Sequence, residues 1–595
     1  MKNIPIESAR ALLLWELLAN DTELSVVVQT SDLKLVRQRL RAEGMSFLTT
    51  SLPSLGKFLD SAFNSGKVTD IPEGWAKSMN GPYPAFLENA WSRIIRNDGS
   101  VRQFTCADFR FPDDLCISYR DAGLAALAIR QLSYAFYKYE VPWSDDQAES
   151  TYEAFKQAED DLGVLLPTLV GRCKDIVIPK DIGKSSAKRQ ITLEDILNRA
   201  ERLLSRLLRG TDPLDISPRY GTGATADKAS PWGRWEQPRF IPKLDDVYRY
   251  SDWFVSGVNG LSDVLNSDNE LDFHVCEEPS ARVVLVPKDS RGPRLISAEP
   301  REFMFIQQGL MTLLYDTIER YPNVSAEVCC TDQSRNQILA KLGSIHGSLA
   351  TLDLKEASDR VSWWLVSRLF PSNWVESFHS CRSEATVLPT GEEIHLLKFA
   401  PMGSAVCFPV EALIFWALTH AAVSDYDEAY IARLFGRRLI PNVAMAYASS
   451  RTRKVNGHTM DEAEFLLRSG GHNTISVFGD DIIVRADQSA RVSFVLEAVG
   501  LMVNRNKSFV AGPFRESCGG DYYLGIDVTP LRVKRRLIGD YGLCAIAYAR
   551  FLNGIIRRYG AWYSSMALVC RTAFSKAFAF EPPIVVPRGH AVETD

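Results

Sequence analysis

The chain has 595 residues, 46% of them hydrophobic and 24% charged, the balance of a globular protein large enough for several domains or one multi-lobed enzyme. Its formal net charge of −5 excludes a basic field over the whole molecule, so any binding to nucleic acid must use local patches. Eleven cysteines, an odd number with no C-x-x-C pair, and eight histidines without zinc-ligand spacing exclude a disulfide framework and structural zinc from the expected fold.

Residues 1–20 carry Glu7, Arg10 and Glu16 through their apolar part, which predicts an amphipathic helix and not a signal peptide. Residues 1–190 read as mainly helical. Over 192–210 the spacing of Leu193, Ile196, Leu197, Ala200, Leu203, Leu204, Leu207 and Leu208 predicts one helix with Thr192 as cap and Gly210 as stop. Arg199, Arg202, Arg206 and Arg209 form its opposite face, read as solvated in preference to a phosphate track. The loops at 220–225 and 231–235 combine glycines, small hydroxyls and aromatics; base stacking and ordinary packing of Trp232 and Trp235 account for them equally well.

Residues 282–294 predict a buried strand breaking into a basic loop, where Lys288, Arg291 and Arg294 crowd among Pro287, Gly292 and Pro293. Rigidly held cations suit a polyphosphate, and a solvated turn is the alternative. Residues 348–354 predict a strand ending at Asp353, then a helix over 355–366 with Asp359 near its start. An acid at the end of a buried strand is poorly placed for stability and well placed for a site, whereas helix capping by Ser358 or Asp359 competes at the second position. A hairpin turn at 388–392 and the stretch 401–404, with Gly403 and Ser404, lead to the apolar window 406–423. That window approaches membrane-spanning length, but Pro409, Glu411, Thr419 and His420 make it a buried helix. Residues 425–473, with Arg437, Arg438, Arg451, Arg453 and Lys454, read as a basic surface insertion.

Residues 474–484 predict a β-hairpin whose arms carry Ile475, Val477, Ile482 and Val484, with Gly479 supplying the turn and Asp480 and Asp481 at its tip. Adjacent carboxylates in an apolar hairpin repel one another, and a divalent cation is the ordinary remedy. Aspartate chosen only for turn chemistry is the competing account. Beyond it, 488–500 reads as a helix, 501–510 as a strand carrying Lys507, and 522–536 as a hairpin on which Arg532, Lys534 and Arg536 share a face. Helices follow, up to a proline-rich tail from Pro582.

This order of segments resembles the palm of RNA-dependent RNA polymerases, and most closely the replicase subunit of the single-stranded RNA bacteriophages (levivirus-like). The stretch 512–519, continuing through Tyr522 and Tyr523 to 525–530, looks like that family's signature after the catalytic hairpin. Residues 220–225, 286–288, 298–300, 332–337 and 353–359 are similar to family segments too, so the resemblance covers roughly 215–540. It implies an α+β right-hand fold of fingers, palm and thumb with an antiparallel palm sheet. The expected division is a helical N-terminal region 1–190, fingers 191–347, a palm 348–530 that includes finger residues 380–400 and the insertion 425–473, and a short thumb and tail 531–595.

The resemblance also implies RNA-directed RNA synthesis, with Asp353, Asp480 and Asp481 holding two Mg²⁺, Mn²⁺ being the alternative ion. Lys507 matches the lysine that protonates pyrophosphate. Lys288, Arg291 and Arg294 match the loop that grips the triphosphate, and Asp359, Gly403, Ser404 and Glu411 are the expected substrate-binding positions. Expected partners are RNA template and product, nucleoside triphosphates, host translation elongation factors and a ribosomal protein, in the cytoplasm of an infected bacterial host and without a membrane. Cys407 departs from the pattern, 425–473 is longer than expected, and the region after the palm is short. A reverse transcriptase, expected to show an aromatic steric gate near Asp359 and a Tyr-x-Asp-Asp hairpin, and an inactive palm that binds RNA are the competing functions.

Overall fold

A computed structural model describes residues 4–102, 114–179, 190–235, 238–254, 275–423, 428–436, 452–455, 458–461, 474–559 and 566–578. Its class is α+β. In chain order the strands are β1 (Ala281–Asp289), β2 (Gly292–Ala298), β3 (Leu349–Leu352), β4 (Leu354–Lys355), β5 (Ala385–Val387), β6 (Glu393–His395), β7 (Thr452–Val455), β8 (His458–Asp461), β9 (Ser476–Phe478), β10 (Asp481–Arg485), β11 (Met502–Val503), β12 (Phe514–Ser517), β13 (Gly520–Tyr523) and β14 (Ile526–Asp527). They form the sheets β2-β1-β5-β6, β3-β10-β9, β11-β4, β12-β13-β14 and β7-β8.

The first of the two large apolar cores among the described residues lies under β3-β10-β9. The helix Leu193–Leu207 starts at a capping box in which the Thr192 hydroxyl accepts from the Asp195 N–H and Asp195 reaches back to the Thr192 N–H. Its stripe from Leu193 to Leu207 is buried as expected against Cys407–Ala422. That second helix is buried from Pro409 to Ala422, so it has no polar face to display. Two of its polar groups meet one acid inside: Glu327 accepts from Trp416 Nε1 at 3.1 Å and meets His420 Nε2 at 2.5 Å. Among the described residues no helix is long and apolar enough to cross a membrane.

The second core is built from the two ends of the chain. Leu14, Trp15 and Leu18 of Ile6–Asp21 and Leu132 of Asp114–Tyr134 pack with Tyr523 of β13 and with Tyr548 and Phe574 of Tyr541–Tyr559 and Met566–Phe578. At its centre Arg130 is 2% exposed. Its guanidinium donates to Asp521 at 2.5 Å and to Asp60, and lies 4.9 Å from the Phe514 ring centroid. A planar fork between two acids and an aromatic face is geometry that arginine satisfies and lysine does not. The N-terminal region, chemically silent in sequence, therefore braces the β12-β13-β14 sheet.

Four local expectations are corrected. The segment 282–294 is a hairpin with an irregularity in its pairing at Pro287 and Lys288, and not a strand breaking into a loop: Val286 pairs with Arg294 and Asp289 with Gly292, leaving Ser290 and Arg291 as the turn. The helix expected over 355–366 is a turn at Ala357–Arg360 and a separate helix Trp363–Leu369. Backbone bonds from Phe399 to Val361 and from Trp363 to Leu397 pull the intervening residues out of helix. Ser362 caps the second helix by accepting from the Leu365 N–H. Lys507 lies in a turn after β11, closed by its N–H to Asn504 O at 3.0 Å, and not within a strand. Arg532, Lys534 and Arg536 do not share a strand face, because this segment runs beside residues 131–140, with Val533 N–H bonded to Ala135 O and Glu140 N–H to Lys534 O. The hairpin at 388–392 is present as β5-β6. Of 425–473, only Glu428–Leu434, β7, β8 and two further residues fall within the described residues, and the tail from Pro582 lies outside them.

Removing Arg130 leaves Asp521 and Asp60 without their shared cation, so Arg130→Leu is expected to lower stability by about 3–5 kcal/mol. Urea unfolding of parent and variant measures it, and a loss under about 1 kcal/mol would mean that the acids are compensated elsewhere.

Candidate active site

β9 and β10 form a tight hairpin in which Val477 pairs with Ile482 and Phe478 with Asp481, so only Gly479 and Asp480 turn the chain. Gly479 has φ +56, and a Cβ there would lie 2.6 Å from the Phe408 ring. The turn therefore needs glycine for both conformation and contact. It is pressed against the first turn of Cys407–Ala422, where Phe408 meets Phe478 edge-on at 5.3 Å.

β10 also pairs antiparallel with β3, Ile482 with Leu352 and Ile483 with Thr351. Continuing that register by one residue sets Asp353 opposite Asp481, and paired residues of neighbouring strands project to the same face. Asp353 is held by the next structural layer. β11 pairs with β4, which brings Asn504 Nδ2 within 2.6 Å of Asp353 Oδ2, while the Ser508 hydroxyl accepts from the Asp353 N–H at 3.1 Å. Lys507 Nζ lies 3.9 Å from Asp353 Oδ1.

Asp481 accepts from the Cys518 N–H at 3.0 Å and the Ser517 hydroxyl at 3.2 Å. Asp480 has no side-chain partner among the described residues except its own backbone N–H. Burial, then the negative charges of Asp480 and Asp353, push the Asp481 carboxyl up to about 7. Burial raises Asp353 also, with Lys507 opposing and Asp480 adding to the rise. Burial raises Asp480 against the pull of Lys507, Arg294 and Lys288. Three acids that destabilise one another's ionised forms favour a cation nearby. Among the described residues no group of three or more His, Cys, Asp or Glu is gathered closely enough to hold a metal ion by itself. A donor set of hard carboxylates that leaves positions for water and phosphate suits Mg²⁺, which keeps several waters.

The cations are divided. Lys288 on β1 and Arg294 on β2 face Asp480 electrostatically, and burial plus repulsion from Arg294 and Arg291 lower the Lys288 ammonium. Arg291, expected beside them as a free phosphate ligand, is instead committed to Asp289 through Nε at 3.0 Å and Nη2 at 2.6 Å and lies 5.2 Å from the Tyr137 ring centroid. For Lys507, burial opposes the charge, but Asp353, Glu516, Asp480 and Asp481 outweigh it and hold the ammonium above its ordinary value.

The remaining expected positions differ in what they touch. Asp359 Oδ1 accepts from Lys398 Nζ at 2.9 Å, so it caps no helix. Lys398 is fully buried and also lies 3.3 Å from Glu159. Glu411 is buried among apolar groups, and burial, then Asp480 and Asp359, push its carboxyl well above the usual range. Gly403 has φ +130 and approaches so closely that a Cβ would sit 2.2 Å from Ser297 O. Ser404 donates to Gln307 at 3.0 Å. Gly403 and Ser404 thus shape and fasten the loop.

Sequence reasoning missed Asn336, Asn504, Ser517, Cys518 and Lys398. Asn336 donates to Asp481 O at 3.1 Å and accepts from Ser476 at 2.6 Å, fastening Ser334–His346 to the hairpin. Asn336, Ser517 and Cys518 lie in stretches whose similarity to a family was visible, but their roles depend on contacts between distant segments.

Because like charge raises the cost of the metal-free site above pH 7, millimolar Mg²⁺ is expected to raise the unfolding temperature more at about pH 8 than at about pH 5.5, where Asp481 is protonated. The metal-free chain should in turn lose stability as pH rises through the Asp481 value. Asp480→Asn should weaken both effects in thermal melts. An equal Mg²⁺ effect in parent and variant would remove these acids from cation binding.

A family model described as "RNA replicase, beta-chain" matches residues 248–445 and 460–557, enclosing every site residue above. The RNA-directed RNA polymerase subunit beta of Enterobacteria phage SP is 33% identical over 47% of this chain and 39% of its own length. The subunit of the same name from Qbeta virus (strain MX1) is 28% identical over 59% of this chain and 51% of its own. This chain thus spans about half, or less, of the length of these relatives. A solved chain titled "RdRp complex" aligns over 96% of this chain and 48% of its own, with 9% identity and a TM-score of 0.41. With the family model matching on both sides of the Gly-Asp-Asp hairpin and the phage subunits aligning across about half the chain, the protein belongs to the RNA replicase β-chain family of RNA bacteriophages.

Proposed function

We propose that the chain is an RNA-directed RNA polymerase that extends an RNA 3′ end from nucleoside triphosphates on an RNA template. The observation that carries this reading is the β3-β10 register, which sets Asp353 opposite Asp481 with Asp480 at the adjoining turn and Lys507 3.9 Å from Asp353. In the reaction the 3′-hydroxyl gives up its proton to water, its oxygen bonds to the α-phosphorus, the bond from that phosphorus to the bridging oxygen breaks, and pyrophosphate leaves. Two divalent cations held by Asp353, Asp480 and Asp481 would supply charge neutralisation at the attacking and leaving oxygens.

The chain's own residues do the rest. Lys288 and Arg294 orient the triphosphate, and Arg291 stiffens their hairpin through Asp289 rather than gripping phosphate. Lys507, kept protonated by its acidic neighbours, gives its proton to the departing pyrophosphate. Lys398 occupies one oxygen of Asp359 and fixes its plane, leaving the other to accept from a ribose 2′-hydroxyl. The hairpin has Phe478 before Gly-Asp-Asp, and the position expected to carry an aromatic gate holds Asp359, which favours RNA synthesis over reverse transcription. The retention of Asp353, Asp480, Asp481 and Lys507 together favours an active enzyme over an inert palm. Within this reading 191–347 serve as fingers, 348–530 as palm and 531–595 as thumb. Host elongation factors and a ribosomal protein would be partners in the infected bacterial cytoplasm.

Asp480→Asn is expected to reduce single-turnover incorporation about a thousandfold, or about 4 kcal/mol of transition-state stabilisation, while RNA affinity stays near that of the parent. Incorporation within a few-fold of the parent would eliminate the assignment. Asp359→Ala is expected to lower the ratio of incorporation efficiencies for ATP over dATP, because the 2′-hydroxyl loses its acceptor. A parent that prefers dATP would replace this reading with reverse transcription.

A further inference from the structure

The segment 220–235 takes no part in the chemistry above, yet it is firmly built. Arg282 at the start of β1 donates to Ala226 O at 2.9 Å and Thr225 O at 3.2 Å, and the Ala226 N–H donates to Glu299 O. The buried Arg234 guanidinium donates to Gly223 O at 2.5 Å and to Gly221 O, and Arg301 reaches Gly233 O at 2.5 Å. The backbone is thereby fixed to the base of the β1-β2 hairpin.

What it displays is unusual for a surface. Trp232 is 87% exposed and Trp235 71% exposed. The Trp235 N–H donates to Trp232 O at 3.0 Å in a 3₁₀ turn, where residues three apart eclipse, so both indoles leave on one side. Tyr220 supports Trp235 edge-on at 4.9 Å and leans on Phe305 at 4.8 Å. Between Arg219 and Trp235 there is no Leu, Ile, Val, Met or Phe, the side chains that would fill an apolar protein interface. Within 219–235 the cations Arg219, Lys228 and Arg234 outnumber the one acid, Asp227, which pairs with Arg301 at 3.4 Å. Exposed aromatics on a rigid basic loop without aliphatic neighbours have the chemistry of base stacking beside a phosphate backbone.

We propose that Trp232 and Trp235 form a stacking platform for single-stranded RNA, placed to receive the strand on its way to the acidic site. The proposal rests on the polymerase reading. Arg282, which holds the backbone of the segment, and Lys288 lie on one strand that rises about 20 Å between them, the length of about six stacked nucleotides.

The test uses the full chain and a labelled single-stranded oligoribonucleotide in fluorescence anisotropy, beside an RNA duplex of the same sequence. Trp232→Ala with Trp235→Ala is expected to weaken single-strand binding about tenfold or more and leave duplex binding unchanged, while Trp232→Phe with Trp235→Phe keeps affinity close to that of the parent. Both side chains are exposed, so neither pair disturbs a core. Unchanged single-strand affinity in the alanine pair overturns the proposal. So does a loss of self-association in sedimentation with RNA binding intact, which would make the patch a protein interface. Incorporation by Asp480→Asn, measured in parallel, reports on the polymerase reading separately, since that variant leaves the platform whole.

Discussion

Everything near the site depends on the antiparallel pairing of β10 with β3. A slip of one residue would turn Asp481 toward the apolar core and bring Ile482 out beside Asp353. The register is fixed from both faces. On one, Val477, Ile482 and Leu352 bury against the Cys407–Ala422 helix. On the other, Asn336 ties the strand backbone to Ser334–His346 and to Ser517. The acids' mutual repulsion opposes this arrangement, and the pairing on both faces offsets it.

The surrounding layers carry that strain outward. Arg515, fully buried, donates to Leu349 O at 2.6 Å at the start of β3 and to Gly512 O and Phe514 O at 2.9 and 2.6 Å. With no acid pairing with it among the described residues, burial brings its guanidinium down to about 10. It serves as a cross-tie between β3 and β12, spending its donors on carbonyls. β12 and β13 are in turn gripped by Arg130 from the N-terminal helices. A long path through sequence is thus a short path through space: residue 130 stabilises the sheet whose Ser517 and Cys518 hold Asp481.

The catalytic-type acids were legible because each sits at a strand end or a glycine turn, where pattern and chemistry coincide. The Leu193–Leu207 helix was legible for the same reason, its apolar stripe being local. The helix expected over 355–366 was not, since a backbone bridge to residues 397–399 overrides local propensity. Arg291 looked like a phosphate ligand because sequence shows charge but not the partner: Asp289, two residues earlier, claims it only once the hairpin closes. The buried Lys398 was invisible for a related reason. Its partners Glu159 and Asp359 lie far apart in sequence, and nothing local announces that a lysine after a short strand is fully enclosed. The hairpin 522–536 failed at its second half, where the chain pairs with residues 131–140 that no local signal connects to it.

The central claim is that Asp353, Asp480 and Asp481 share bound divalent cations. It is tested most directly by replacing Mg²⁺ with Fe²⁺ and adding ascorbate and peroxide, so that radicals formed at the ion cut the nearby backbone. Fragments mapped by mass spectrometry should end beside Asp353 and within residues 479–482, and excess Mg²⁺ should suppress them. Cleavage elsewhere with these two segments intact would contradict the account.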